Sequence, residues 1–436
     1  MTDSALIPWL LAGIPLLGAL VSLAIWSTPD RLKISAIGWS VISLGAIAGL
    51  SGHLMTSTES LLPLYLLPLA ATVSILGQPV HEDHRLSWIM TLVCLGFGIG
   101  AYTGQGLVAQ AFLMALLVSI MVLLFRHHTE LWPMSWWGIG SFGLGALCIV
   151  VAAVADPPLS SAASLLTCAV LLPLIPFHTG YLTALTRLPG GLPSFMVLLL
   201  PVVGLHGLAT AIPAIPEGAT QAVSILALAG SLYGAIKALT QSRVRLLLAY
   251  SSLSFFSMLW WFAAATRTAT PQSALLVGAV GLATSGLLLA WQVIRTRYGD
   301  DVDPQAISGL AFTMPRYAIL LSLLALAAMG LPPFGVFAGF MGLFLTSSLT
   351  SAVGPFFLLV AWLAASWYIM QMSQQLLFGT KRSDLRYTDL LNTELVSLLI
   401  LVLALLALGL APTSLFTPDQ TLHQTSAVTE SLIWNR

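Results

Sequence analysis

The apolar run from Ile319 to Leu345 contains no Asp, Glu, Lys, Arg or His, and an uncharged stretch of that length is long enough to cross a bilayer. It is interrupted at Met329-Gly330-Leu331-Pro332-Pro333-Phe334-Gly335. Neither proline donates a backbone hydrogen bond and each ring clashes with the preceding turn, so a helix through this run must open at Pro332 and Pro333. Open backbone at membrane depth is tolerated only where protein packs around it or where it lines a polar cavity. A second stretch, Leu172-Pro173-Leu174-Ile175-Pro176-Phe177-His178, has the same look, so Pro173 and Pro176 mark another break. Two interrupted helices in corresponding halves of a membrane chain point to an inverted repeat of the transporter kind.

The rest of the chain agrees with a membrane setting. Of its 436 residues 58% are hydrophobic and 7% charged, with a mean hydropathy of +0.94; no soluble core could hold so much apolar surface. The class is all-α, polytopic and integral to the membrane. Cys94, Cys148 and Cys168 each sit inside an apolar run without CxxC spacing, so they supply neither a metal site nor a disulfide framework and read as lipid-facing or packing residues. With zero net charge and no basic patch interleaved with aromatics, the chain offers nothing to a nucleic acid. Its first apolar run, Ala5 to Trp26, follows an acidic rather than a basic residue and has no small-residue cleavage site; it reads as a spanning helix, not a signal peptide.

Runs of about 18 to 25 residues with charge only at their edges place about fourteen helices. They fall near 5–26, 34–52, 60–78, 87–104, 106–125, 137–154, 161–178, 192–212, 220–239, 245–265, 274–295, 316–345, 355–378 and 394–412. On this plan 14 of the 16 basic residues lie on one side, with Arg267 and Arg436 on the other. The basic side should be cytoplasmic, so both termini face the periplasm or exterior of an inner or cytoplasmic membrane. Residues 1–86 hold the first three helices, 87–212 a first repeat (helices 4–8), 213–378 a second (helices 9–13), and 379–436 a cytoplasmic loop, the last helix and a tail. The connections are short and carry no phosphate loop, nucleotide fingerprint or cysteine cluster, so the chain is expected to hold no cofactor, and any redox chemistry belongs to a partner.

Three stretches make the chain resemble a known family. Pro176-Phe177-His178 followed by Pro189 and Pro193-Ser194 is similar to a shortened PFHxWLPDAHxxAPxPVS segment. Gln241-Ser242-Arg243-Val244-Arg245-Leu246-Leu247-Leu248-Ala249-Tyr250-Ser251-Ser252 is similar to QxDIKRLLAYSS, and Gly330-Leu331-Pro332-Pro333-Phe334 with Gly339 to GLPPFxGFxGK. A weaker fourth match runs from Phe378-Gly379 through Asp389, Asn392 and Glu394 to Gly409-Leu410-Ala411-Pro412. The chain thus resembles the antiporter-like membrane subunits of respiratory complex I, membrane-bound hydrogenases and Mrp-type cation/proton antiporters. The resemblance implies fourteen helices, two inverted five-helix repeats, and discontinuous seventh and twelfth helices.

It also implies titratable groups near the midplane, because a proton or cation needs stepping stones whose charge can be neutralised in a low-dielectric interior. Such groups are expected on the fifth helix, before PFH, on the eighth and eleventh helices, and after the second break. Here Ala109 to Leu124 holds no acid, the position before PFH is Leu171, nothing titrates between Pro201 and Leu205 or between Ser273 and Ile294, and Phe340 follows Gly339. His206 remains on the eighth helix, either a shifted substitute for the lost lysine or a hydrogen-bonding partner of the neighbouring helices. His178 is expected at the cytoplasmic edge of its broken helix, in a structural or a proton-transfer role. Lys237, near the end of its helix, either snorkels to the interface or joins the path. Gln241, Arg243, Arg245 and Tyr250 carry the loop motif. The cluster Lys381, Arg382, Asp384 and Arg386 is a solvated loop or a docking point for a soluble subunit.

The fold therefore implies a membrane subunit of a multisubunit assembly related to complex I, hydrogenase or Mrp, associated with proton or cation translocation. The lost charges imply a structural or relay role within it. Its expected partners are other membrane subunits, a cytoplasmic soluble subunit and the lipid bilayer. The alternative is the membrane partner of a zinc carbonic-anhydrase-like protein in inorganic-carbon uptake. No catalytic constellation is present in the sequence.

Overall fold

The computed structural model describes residues 3–54, 61–126, 136–268, 270–298, 307–348, 353–379 and 388–410, and among them every regular element is helical. In chain order these are α1 (Asp3–Ala24), α2 (Pro29–Leu54), α3 (Leu62–Leu76), α4 (Arg85–Thr103), α5 (Gly106–Arg126), α6 (Trp136–Val154), α7 (Leu159–Leu171), α8 (Thr179–Arg187) and α9 (Leu192–Ala211). There follow α10 (Glu217–Leu239), α11 (Val244–Thr266), α12 (Pro271–Tyr298), α13 (Leu310–Thr313), α14 (Pro315–Ala328), α15 (Gly335–Ser348), α16 (Val353–Leu377) and α17 (Asn392–Leu410). Among the described residues, 11 helices are long and apolar enough to cross a membrane, and α3, α7, α14 and α15 are shorter apolar helices. The chain is a multi-pass membrane protein. The 381–386 cluster and the tail beyond Leu410 lie outside the described residues.

Both proline-rich stretches interrupt a helix. Residues 172–178 separate α7 from α8, and 329–334 separate α14 from α15. The expected end of the first broken helix at His178 is corrected: nine further helical residues, Thr179–Arg187, follow the break. An apolar-run reading stops too early there because Thr179, Gly180, Thr183 and Thr186 dilute the hydropathy. Even so, Gly180 to Leu185 are buried. His178 therefore lies inside the break, not at its cytoplasmic edge.

The backbone groups opened by each break find partners on other helices, as buried carbonyls must. Trp260 Nε1 of α11 donates to Leu172 O at 3.0 Å. At the second break Trp362 Nε1 of α16 donates to Met329 O at 2.6 Å, joined by Ser366 Oγ at 3.5 Å. A glycine lies close against each break as well: a Cβ on Gly204 of α9 would meet Leu172, and one on Gly409 of α17 would collide with the Pro333 carbonyl. The same two elements, an indole donor and a glycine, thus secure both interruptions.

The centre of the molecule is α12. Ser273 to Ile294 are buried without exception, and the helix packs against α3, α9, α11, α14, α15 and α17. Close approach of α15 is set by Gly339, where a Cβ would lie 2.8 Å from Leu276 Cα. Near the far end of α12 the weaker sequence match becomes a clasp. Arg297 Nη2 pairs with Glu394 Oε2 at 2.7 Å, and these side chains are 10% and 2% exposed. The same guanidinium donates to Asp389 O at 3.1 Å. The Asp389 carboxylate accepts the backbone N–H groups of Arg316 (2.9 Å) and Tyr317 (3.2 Å), so it caps the start of α14.

Candidate functional site

Three of the residues singled out from the sequence converge on a fourth that was not. His178 stands edge-on to Tyr233, ring centroids 5.5 Å apart; Tyr250 meets the same ring at 6.1 Å; and Lys237 Nζ lies 5.9 Å from its centre. Tyr233 sits one helical turn before Lys237 on α10, and Tyr250 lies on α11, which packs along α10. His178 is 8% exposed and its Nδ1 has no hydrogen-bond partner among the described residues. Lys237 is exposed at the helix end. The cluster sets an exposed ammonium and a buried imidazole against one aromatic ring.

The remaining loop-motif residues act as fasteners. Arg245 donates to Thr186 O of α8 at 3.2 Å and to Gln292 Oε1 of α12 at 2.9 Å. The adjacent serines of the motif hold two different elements: Ser252 is 2.8 Å from the Tyr181 hydroxyl of α8, and Ser251 accepts the Tyr368 hydroxyl of α16 at 2.9 Å. Arg243 is the exposed residue that precedes α11. Gln241 lines a cavity of about 200 Å³ together with Thr240, Gln371 and Gln375.

His206 is not part of that cluster. It lies against Tyr102 of α4, ring centroids 4.4 Å apart, in the wall of a larger cavity of about 590 Å³. This cavity is built by the ends of α1, α3, α4, α5, α6 and α9 that share one side of the molecule, and by the body of α7. From Thr210 down to Val203 on α9, and from Ser164 down to Leu171 on α7, the walls run about 10 Å. Leu171 lies next to the first break. Gln110 of α5 also lines the cavity, and its carboxamide oxygen is buried without a partner among the described residues. Among the described residues no Asp, Glu, Lys or Arg lines it.

The positions where the resemblance expects charge hold apolar side chains, of which Leu171 and Val203 stand in the wall of this cavity. Leu171 and Pro201 to Leu205 are buried, and the Phe340 ring lies against Trp362, the indole that secures the second break, with centroids 4.4 Å apart and planes tilted by 40°. Sequence reasoning missed Tyr233, Tyr102 and Gln110, because a search for titratable groups passes over tyrosine and amide side chains. It also counted Lys33 as a flanking charge, whereas Lys33 is 5% exposed and donates to the carbonyls of Leu76 and Gln78 at the end of α3. Among the described residues no group of three or more His, Cys, Asp or Glu is arranged to hold a metal.

With the geometry in hand, comparison with known proteins gives the class first. The fold is similar to chains of respiratory complex I from Thermus thermophilus (21% identity, 94% of this chain and 95% of that one, TM-score 0.75) and of the Mrp complex from Dietzia sp. (16%, 95% and 96%, 0.79). It is also similar to the membrane-bound sulfane sulfur reductase, an archaeal respiratory membrane complex (17%, 95% and 78%, 0.81). Such low identities establish the fold alone. The chain belongs to the family described as NADH:quinone oxidoreductase/Mrp antiporter, transmembrane, whose pattern matches residues 86–367. Sequence relatives include F(420)H(2) dehydrogenase subunit M of Methanosarcina mazei, 28% identical over 269 residues, 59% of this chain and 52% of that protein. NADH-quinone oxidoreductase subunit 13 of Thermus thermophilus is 36% identical over 143 residues, 31% of this chain and 29% of that protein. The chain thus spans about half of the first relative's length and less than a third of the second's.

Proposed function

We propose that the chain is an integral membrane subunit of an energy-converting assembly like those of its relatives, and that it serves as a structural or relay member with its own channel charges largely lost. The observation that carries this reading is the apolar character of the expected charge positions, above all the Phe340–Trp362 ring contact beside the second break and the wholly buried, uncharged middle of α12. A buried ion path needs groups that can be neutralised in place, and apolar side chains there leave none. In this reading α3 and the two broken pairs, α7–α8 and α14–α15, also cross the membrane. That gives fourteen crossings in two inverted five-helix repeats, with the basic side cytoplasmic and both termini opposite. Redox chemistry and cofactors then belong to partner subunits, with a soluble subunit docking on the cytoplasmic face. The compared proteins are respiratory and antiporter complexes, which favours this reading over a carbon-uptake role.

The test has two parts. Purification in mild detergent followed by mass spectrometry is expected to bring down sister membrane subunits that bear channel charges, together with redox subunits. The purified chain alone in liposomes is expected to pass no protons above protein-free vesicles. A robust voltage-driven flux abolished by His206→Ala would overturn the reading.

A further inference from the structure

The two breaks differ in how far this chain covers them. At the first, Leu172, Pro173, Leu174 and His178 are buried and Pro176 alone is exposed. At the second, Leu331 (41% exposed), Pro332 and Pro333 form an exposed run, although Met329 and Gly330 before it and Phe334 and Gly335 after it are buried. Trp362 and Gly409 close this break from α16 and α17. Its outward side stays open, and the Pro332 carbonyl accepts no hydrogen bond among the described residues.

The depth of this opening can be read off α12. Leu324, one turn before the end of α14, packs on Gly286, and Gly335, the first residue of α15, packs on Ala279. Leu331 to Pro333 therefore lie level with the stretch between Ala279 and Gly286, in the middle of the buried run from Ser273 to Ile294. Irregular backbone at that depth does not face lipid; it is packed in protein or lines a water-filled cavity. The residues leading to it favour protein over water. Ile319, Leu323 and Leu326 share the outward side of α14, Ile319 and Leu326 being 62% and 38% exposed, and they run up to Leu331 as an uncharged, largely apolar strip.

We infer, on the reading of the chain as a subunit of a membrane assembly, that a transmembrane helix of a sister membrane subunit lies along this strip of α14 and closes the outward side of the second break. The covering helix is apolar and uncharged where it crosses Leu326 and Leu331, because a charge buried against them would lose its hydration without gaining a partner. The second break is then a composite: α16 and α17 close it within the chain, and the sister subunit closes it from outside. Assembly completes what folding of this chain leaves open.

The experiment uses the full chain in its native membrane, with the photocrosslinking substitutions Leu331→p-benzoylphenylalanine and, separately, Leu326→p-benzoylphenylalanine. Both side chains are exposed, so the larger probe displaces no core residue, and either position reads the contact if the other variant fails to accumulate. Near-ultraviolet irradiation is expected to join both positions to the same membrane subunit, identified by mass spectrometry of the adduct. Adducts to lipid alone, or to this chain's own residues beyond Leu410, would overturn the inference, as would the absence of any adduct. Mild-detergent purification of the same membranes separates the two possible failures. If sister membrane subunits co-purify but form no adduct, this contact is refuted and the proposed function stands; if none co-purifies, both fall.

Discussion

Gly409 and Gly38 are both helical glycines in apolar surroundings, and their substitution should have opposite effects. A methyl group at Gly409 collides with the Pro333 carbonyl in the second break, whereas one at Gly38 on α2 meets nothing within 4 Å. Gly409→Ala is therefore expected to lower the thermal unfolding midpoint in detergent, because the break must shift to admit it. Gly38→Ala should leave the midpoint unchanged or raise it, since alanine is favoured over glycine inside a helix by up to about 1 kcal/mol. Trp260→Phe probes the first break without emptying it. It keeps an aromatic ring but strips Leu172 O of its donor, and an orphaned buried carbonyl costs about 1–3 kcal/mol. The same thermal measurement checks it, and an unchanged midpoint would mean that the indole hydrogen bond does not support the break.

Between elements, the Arg297–Glu394 pair is a buried clasp: it ties α12 to α17, while the neighbouring Asp389 ties the same corner to α14. Removing one charge leaves the other buried and alone, so Glu394→Leu or Arg297→Met by itself should destabilise by about 3–5 kcal/mol. The double variant removes both charges and should recover most of the loss, which a double-mutant cycle on unfolding free energies reads directly. Asp389→Ala should cost about 1 kcal/mol through loss of a helix cap. The paired serines of α11 work at this scale too. Ser251 and Ser252 face different partners because neighbouring residues on a helix point in different directions, and so one dipeptide fastens α16 and α8 at once.

At the scale of the whole molecule, charge is tolerated where the interior is open and rejected where it is packed. Phe340→Lys would push an ammonium against the tilted contact that Phe340 makes with the Trp362 ring. It is expected to abolish accumulation of folded chain, as read by gel filtration after membrane extraction. Gln110→Glu changes a side chain that lines a cavity and should yield folded protein at close to the wild-type level. Equal yields from the two variants would show that the second break is less tightly filled than its geometry indicates.

Much of this architecture was legible in the residues alone. Prolines inside apolar runs forced the two breaks at 172–178 and 329–334, since a ring without an N–H cannot continue a helix wherever the chain lies, and charge-free runs set the spanning helices. The loop around Gln241 to Ser252 and the break around Gly330 to Phe334 carried the family, which the match over residues 86–367 bears out. What fills the breaks was not legible. Trp260 is 88 positions from Leu172 and Gly409 is more than 70 from Pro333, and nothing local marks either as a partner. The cavity was hidden for a related reason: its wall draws a few residues from each of seven helices, and its polarity comes from hydroxyls and amides, not from the charges that stand out in an apolar sequence. Local chemistry determined where the helices run and where they must open, because steric and desolvation costs act along the chain. Only the tertiary structure decided which side chains close those openings, because that depends on which distant surfaces the packing brings within hydrogen-bonding reach.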